Sequence, residues 1–292
     1  MATPPTQPAA DMAKIWKYQL VLTSANRMHS AKLRIFVAQL PQLLPANWAT
    51  NSKVSELNGN NLTLAVVIDA LRFTTTAAVA LQAGAAAVSV AAEIDTARAL
   101  ATQMGPGTLL CGERHCHRIE GFHLGNSPLE YTTASVGTRN LVFSTTNGTL
   151  AVASAAAAQQ VLLGSLTNRQ AVASWIVSSG FSRIWFVCAG TDGQIAAEDV
   201  LTAGAITQAC QQLADCELCN DSAIIAAEFF AQQASARNAT TQSRISQLLA
   251  QAAGGRNLIE AGYESDLAEV AKLDSLTVVP HNHPNQSHIF KA

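Results

Sequence analysis

From residue 33 onward, short apolar runs alternate with longer segments of helical periodicity. Residues 63–68 (TLAVVI) are almost continuously apolar, as expected of a strand covered on both faces. Shorter runs at 33–37, 87–91, 108–111, 140–144, 160–163, 183–187 and 276–279 predict further strands, the last closed by Pro280. Helical patterns occupy 74–82, stopped by Gly84, and 95–103, and begin again near 147, 168 and 195. Residues 199–272 read almost wholly as helix. This alternation predicts an α/β fold, a mostly parallel sheet in a three-layer α/β/α arrangement. It divides into two α/β parts, residues 31–165 with the phosphate and metal loops and a helix-rich 166–292. Residues 1–30 read as a disordered extension, and Met28 is a candidate start.

Composition narrows the function classes. Hydrophobic residues make up 49% of the chain and charged residues 13%, which is globular rather than disordered. The net charge is -2 and no basic block occurs, so a nucleic-acid partner is not expected. No apolar segment reaches the roughly 18 residues that cross a bilayer, so no membrane partner is expected either. Six cysteines in apolar or motif contexts favour a reducing cytoplasm over a disulfide scaffold. Cys216 and Cys219 have metal spacing but lack a second pair, so zinc is not expected. His115 and His117 read as lining an exposed loop, and His281, His283 and His288 as a solvated tail. The Ala-rich helices leave a homo-oligomer open.

Candidate chemistry gathers at four strand ends. In open α/β sheets ligands bind at the carboxyl ends of strands, where a following helix offers free N–H groups to an anion. After the first such strand come Asp69, Arg72 and the run Thr74, Thr75, Thr76. A strand-end carboxylate suits Mg²⁺, arginine grips phosphate in two-pronged fashion, and hydroxyls bind phosphate oxygens or cap the helix. Glu113 and Arg114 follow the second strand. The third end carries Thr145, Thr146, Asn147 and Gly148. The fourth carries Gly190, Thr191 and Asp192, with Glu198 and Asp199 further on. Taken together they describe an anion pocket with a carboxylate cluster, suited to metal-assisted phosphate-ester chemistry on a small anionic substrate.

Several other phosphatase chemistries do not fit. A cysteine nucleophile needs arginine six positions later, and those positions after Cys111 and Cys188 hold His117 and Gln194. An aspartyl-phosphate enzyme needs Asp-x-Asp, whereas Asp69 is followed by Ala70 and Leu71. Arg114-His115 is followed by Cys116, so an Arg-His-Gly motif is incomplete. Direct attack of water on phosphorus remains, with Asp69 or Glu113 orienting the water and Arg72 and Arg114 supporting the charge. A non-catalytic phospho-metabolite binder and a phosphotransferase stay open beside it.

The same residues carry a resemblance. The blocks VIDALRFTTT (67–76), CGER (111–114), GFHLGNSP (121–128), STTNGT (144–149), LGSLTN (163–168) and CAGTDGQIAAED (188–199) resemble the 2-phosphosulfolactate phosphatases in order and spacing. The tail LIEAGYESDLAEVAKLDSLTVVP (258–280) is similar too. The resemblance implies Mg²⁺-dependent hydrolysis of (2R)-2-phospho-3-sulfolactate to (2R)-3-sulfolactate and phosphate, a step of coenzyme M biosynthesis in some organisms. Carried over by position, it implies Asp69, Arg72, Glu113, Arg114, Asn126, Asn147, Asp192, Glu198 and Asp199 as site residues, with Asp69, Glu113, Asp192, Glu198 and Asp199 toward the metal. Two departures, His115-Cys116-His117 and His123, fall in the expected substrate loop.

Overall fold

The apolar run at 63–68 forms a strand in which every residue is buried. Its alternate side chains feed different cores. Leu64, Val66 and Ile68 pack with Val172, Ile176, Val200 and Ile206 on one face. Ala65 and Val67 pack with Phe73, Ala77, Ala151 and Val152 on the other. Helices therefore cover both faces, as the alternation predicts. These features come from a computed structural model that describes residues 32–49, 62–235, 240–283 and 286–292. The expected extension at 1–30 lies outside the described residues.

The strands are β1 (Leu33–Ala38), β2 (Thr63–Ile68), β3 (Ala87–Val90), β4 (Leu109–Arg114), β5 (His117–Arg118), β6 (Asn140–Ser144), β7 (Gln160–Gly164), β8 (Arg183–Cys188), β9 (Cys216–Leu218), β10 (His281–His283) and β11 (Gln286–Lys291). The helices are α1 (Phe73–Gln82), α2 (Ile94–Met104), α3 (Thr133–Val136), α4 (Gly148–Ala155), α5 (Arg169–Ser178), α6 (Ala197–Leu213), α7 (Asp221–Ala234), α8 (Thr241–Gln251), α9 (Ala253–Glu260) and α10 (Glu264–Val270). The sheet runs β5-β4-β6-β3-β11-β10-β7-β2-β8-β1-β9. Two parallel blocks, β4-β6-β3 and β7-β2-β8-β1-β9, are joined by the antiparallel hairpin β10–β11.

The parts expected on either side of residue 165 share this sheet. β8, from the later part, pairs with β1 and β2 from the earlier one. Residues 32–292 accordingly form one compact unit. The tail also differs from expectation. Residues 276–279 form no strand, and Pro280, which has no N–H to donate, accepts from Leu163 N instead. The strands lie beyond it, in a segment that reads as solvated. There Asn282 is buried and its Oδ1 accepts from Gln160 Nε2 (2.7 Å) and Val161 N (2.7 Å), while Phe290 enters the core.

The late helical region holds one short strand, β9, beside β1. It otherwise builds a cap. Ile245, Leu249, Leu258, Leu267 and Val270 from α8, α9 and α10 pack on Leu201 and Ala205 of α6 and Phe230 of α7. Among the described residues no helix is long and apolar enough to cross a membrane.

Candidate active site

Asp69 lies immediately beyond the carboxyl end of β2, and the threonines after it hold that end in place. Asp69 N–H donates to Thr74 Oγ1 (3.2 Å), and the Thr74 hydroxyl donates to Asp69 O (2.9 Å). The hydroxyls of Thr75 and Thr76 donate to Ala70 O (3.0 Å) and Asn126 O (2.8 Å). All three threonines are fully buried. Their hydroxyls satisfy main-chain groups rather than meet a phosphate, because burial leaves no other use for them. They are not among the cavity-lining residues.

The loops after β2, β4, β6 and β8 converge on a cavity of about 430 Å³. Asp69, Arg72, Glu113, Asn126, Thr146, Asn147, Thr191 and Asp192 line it. His115, Cys116 and His117 form one wall, and Gly254, Asn257, Leu258, Glu260 and Ala261 of the cap form another. Glu113 is held firmly. Its Oε1 accepts from the Thr146 main-chain N–H (2.9 Å) and hydroxyl (3.0 Å), and its Oε2 from Cys116 N–H (3.0 Å).

Gly148 opens α4 directly against Asp69. A Cβ placed there would sit 2.6 Å from Asp69 Oδ2 and 2.6 Å from Phe73 Cδ1. The glycine expected to receive phosphate thus lets helix backbone approach the carboxylate. Gly254 has a parallel role over the buried Glu198, whose Oε1 a Cβ would meet.

Arg114, Thr145, Gly190, Glu198 and Asp199, also expected at the site, are not among the cavity-lining residues. Arg114 is outside the cavity, its guanidinium bound to Glu113 O (2.7 Å), Ser144 O (3.2 Å), Ala92 O (3.1 Å) and Ser144 Oγ (2.9 Å). It ties the end of β4 to the end of β6. Asp199 accepts from Ala70 N–H (2.8 Å) and Gly190 N–H (2.9 Å), one on each oxygen. It braces the ends of β2 and β8, and the Gly190 N–H that could have met a phosphate is taken. Thr145 is buried outside the lining, and its hydroxyl has no partner.

Two residues that sequence reasoning did not single out fix Arg72. Asp266 pairs with it at 2.8 Å, and the Tyr263 ring lies 4.4 Å from the guanidinium carbon. Asn257 and Glu260 also line the cavity from α9. The similar tail block was the only signal for them. Locally, Asp266 reads as an ordinary acid in the first turn of a helix.

The electrostatics are dominated by carboxylates. Asp69, Glu113, Asp192 and Glu260 line the cavity against one arginine. Burial, then the neighbouring Glu113 and Glu198 charges, pushes the Asp69 carboxyl up to about 7. Glu198 and Asp199 are raised too, each chiefly by burial. The raised Asp69 value has a consequence for stability. Folded protein keeps that proton above the ordinary value of 3.8, where the unfolded chain has lost it. Its contribution is complete below 3.8 and is lost as pH rises through about 7. Without metal, the Tm of the wild type should fall more steeply with rising pH across this window than that of Asp69→Asn. Parallel slopes in thermal unfolding with chelator present would contradict the assignment.

Among the described residues, no three His, Cys, Asp or Glu side chains converge as a ready metal cage. The donor chemistry nevertheless fits Mg²⁺, which takes one or two carboxylates and keeps several waters. Asp69 faces the cavity with its charge poorly compensated. Asn126 lines the same cavity and its buried Oδ1 has no partner; Glu198 Oε2 is buried without a partner too, but Glu198 lies outside the lining.

A family model described as 2-phosphosulpholactate phosphatase matches residues 49–284. Three curated proteins, each named "Probable 2-phosphosulfolactate phosphatase", are similar. One from Caldanaerobacter subterraneus subsp. tengcongensis is 38% identical over 216 residues, covering 74% of this chain and 86% of that protein. One from a Synechococcus species is 38% identical over 220 residues, covering 74% and 87%. One from Deinococcus radiodurans is 36% identical over 222 residues, covering 74% and 86%.

Proposed function

We propose a reaction for this cavity from one premise: the chain belongs to the 2-phosphosulpholactate phosphatase family and is a phosphoric monoester hydrolase. The reaction is Mg²⁺-dependent hydrolysis of (2R)-2-phospho-3-sulfolactate to (2R)-3-sulfolactate and phosphate, as in coenzyme M biosynthesis. The observation that carries this reading is a cavity lined by four carboxylates against one guanidinium, which an anionic ester would not enter unaided. A cation resolves that conflict, and the acceptor-rich lining favours a hard one. Asp69 would hold Mg²⁺, with Asn126 and water beside it, in the cavity that Glu113 and Asp192 also line. Bound there, Mg²⁺ would neutralise charge on the phosphoryl oxygens and on the leaving oxygen.

The chain's own residues do the rest. Arg72 presents a fixed guanidinium to the anion. Glu113, held by three hydrogen bonds, keeps the 113–116 and 146 segments in register around the ester. Asp69 is the residue to orient the attacking water. It lies at a strand end and faces the cavity. Water oxygen bonds to phosphorus, the ester P–O bond breaks, and a proton passes to the departing hydroxyl oxygen. The six free cysteines suit a cytoplasmic setting.

A phosphate-release screen over small phosphorylated acids, with Mg²⁺ and after chelation, tests the reading. The sulfonated substrate should exceed unsulfonated phosphoacids about tenfold or more in kcat/KM, a difference of about 1.4 kcal/mol. All release should stop on chelation. Equal rates across the panel, or release that survives chelation, would contradict it.

A further inference from the structure

We infer that Asp266 is a positioning residue that sets the catalytic guanidinium of Arg72 and ties the 125–127 loop to it; this rests on the phosphatase reading above. Asp266 is fully buried in the first turn of α10. Its two oxygens serve two different segments. Oδ2 accepts from Arg72 Nη1 at 2.8 Å, and Oδ1 accepts from the Ser127 hydroxyl at 2.6 Å. Ser127 follows Asn126, which lines the cavity with its Oδ1 unpartnered. One carboxylate from the cap therefore links the Arg72 loop after β2 to the loop that presents Asn126.

The remaining contacts of Arg72 show how tightly the head is held. Nη2 donates to Cys116 O at 2.8 Å, and the guanidinium lies over the Tyr263 ring. Of the ion pairs found among the described residues, this one alone has both side chains almost completely buried, 2% and 1% exposed. An unpaired guanidinium is costly in such a place, so without Asp266 it would turn toward another carboxylate. Asp69 and Glu113 are the nearby choices, because both share the cavity with it. Asp266 thus does two things at once. It aims the planar fork, and it keeps the arginine from closing on the carboxylates that the reaction needs open.

The test uses Asp266→Asn in the full chain, with inorganic phosphate as probe and Mg²⁺ present. Calorimetry should show phosphate affinity lowered about tenfold, and kcat/KM for the ester should fall at least as far. In an Arg72→Lys background, D266N should add little further loss, because both changes act through one group. A purely structural role would lower Tm but leave phosphate affinity and kcat per folded molecule within about twofold, and would multiply with R72K; that result overturns the inference. If D266N does not fold, Ser127→Ala carries the test. It frees Oδ1 and leaves the ion pair, and phosphate affinity should fall about threefold; unchanged affinity overturns the inference. Phosphate binding is read without turnover. Wild type that binds phosphate but hydrolyses no ester would overturn the function and leave this role standing.

Discussion

Replacing Asp69 with Asn is expected to cut turnover about 10²-fold or more while the protein stays folded, on the scale of one lost acid–base or metal contact. The substitution is isosteric, so the packing of Gly148 and Phe73 around the side chain is kept. What disappears is a negative charge in a place where burial and two neighbouring carboxylates oppose it. Removing an opposed charge relieves the folded state. Without metal, D69N should therefore be at least as stable as the wild type above pH about 7, and stability and activity should move in opposite directions. Steady-state kinetics with Mg²⁺ and thermal unfolding with chelator check the two halves. Near-wild-type turnover with normal Mg²⁺ dependence would remove Asp69 from the mechanism.

Gly148→Ala should be nearly as damaging, although it changes no polar group. The added methyl would lie 2.6 Å from Asp69 Oδ2, 2.6 Å from Phe73 Cδ1 and 2.9 Å from Phe73 Cβ. Phe73 has nowhere to retreat, being fully buried and packed edge-on against Phe143 at 5.5 Å. The carboxylate or the start of α4 must shift. A displacement of about 1 Å near a reacting centre costs on the order of 10²-fold in rate. Overpacking should also cost about 1–3 kcal/mol of stability. Turnover within about threefold of wild type would show that the contact between α4 and Asp69 does not shape the site.

Some of this was legible in the sequence for clear physical reasons. The run at 63–68 could hardly be anything but a two-sided strand, and a carboxylate closing such a strand points to the ligand edge of the sheet. Asp69, Arg72, Glu113, Asn126, Thr146, Asn147, Thr191 and Asp192 do line one cavity. What local pattern could not separate was a hydroxyl or guanidinium facing the ligand from one holding the loop. Thr74, Thr75, Thr76 and Arg114 have the right chemistry at the right strand ends, yet each bonds internal groups. Asp199 likewise serves two main-chain N–H groups.

Asp266 was hidden for the opposite reason. Its partner Arg72 lies 194 residues away, and only the folded cap brings them together. The hairpin β10–β11 was missed because it is short and polar, and its one large buried anchor, Phe290, stands alone in the pattern.

The most direct measurement is phosphate release from 2-phospho-3-sulfolactate by chelator-treated protein as Mg²⁺ is returned. The account predicts that wild type regains full activity with saturating dependence on Mg²⁺, while D69N stays about 10²-fold or more below it at every concentration. Wild type that is fully active without added metal, or D69N that recovers alongside it, would contradict the claim that the carboxylates around Asp69 hold a cation for phosphate-ester hydrolysis.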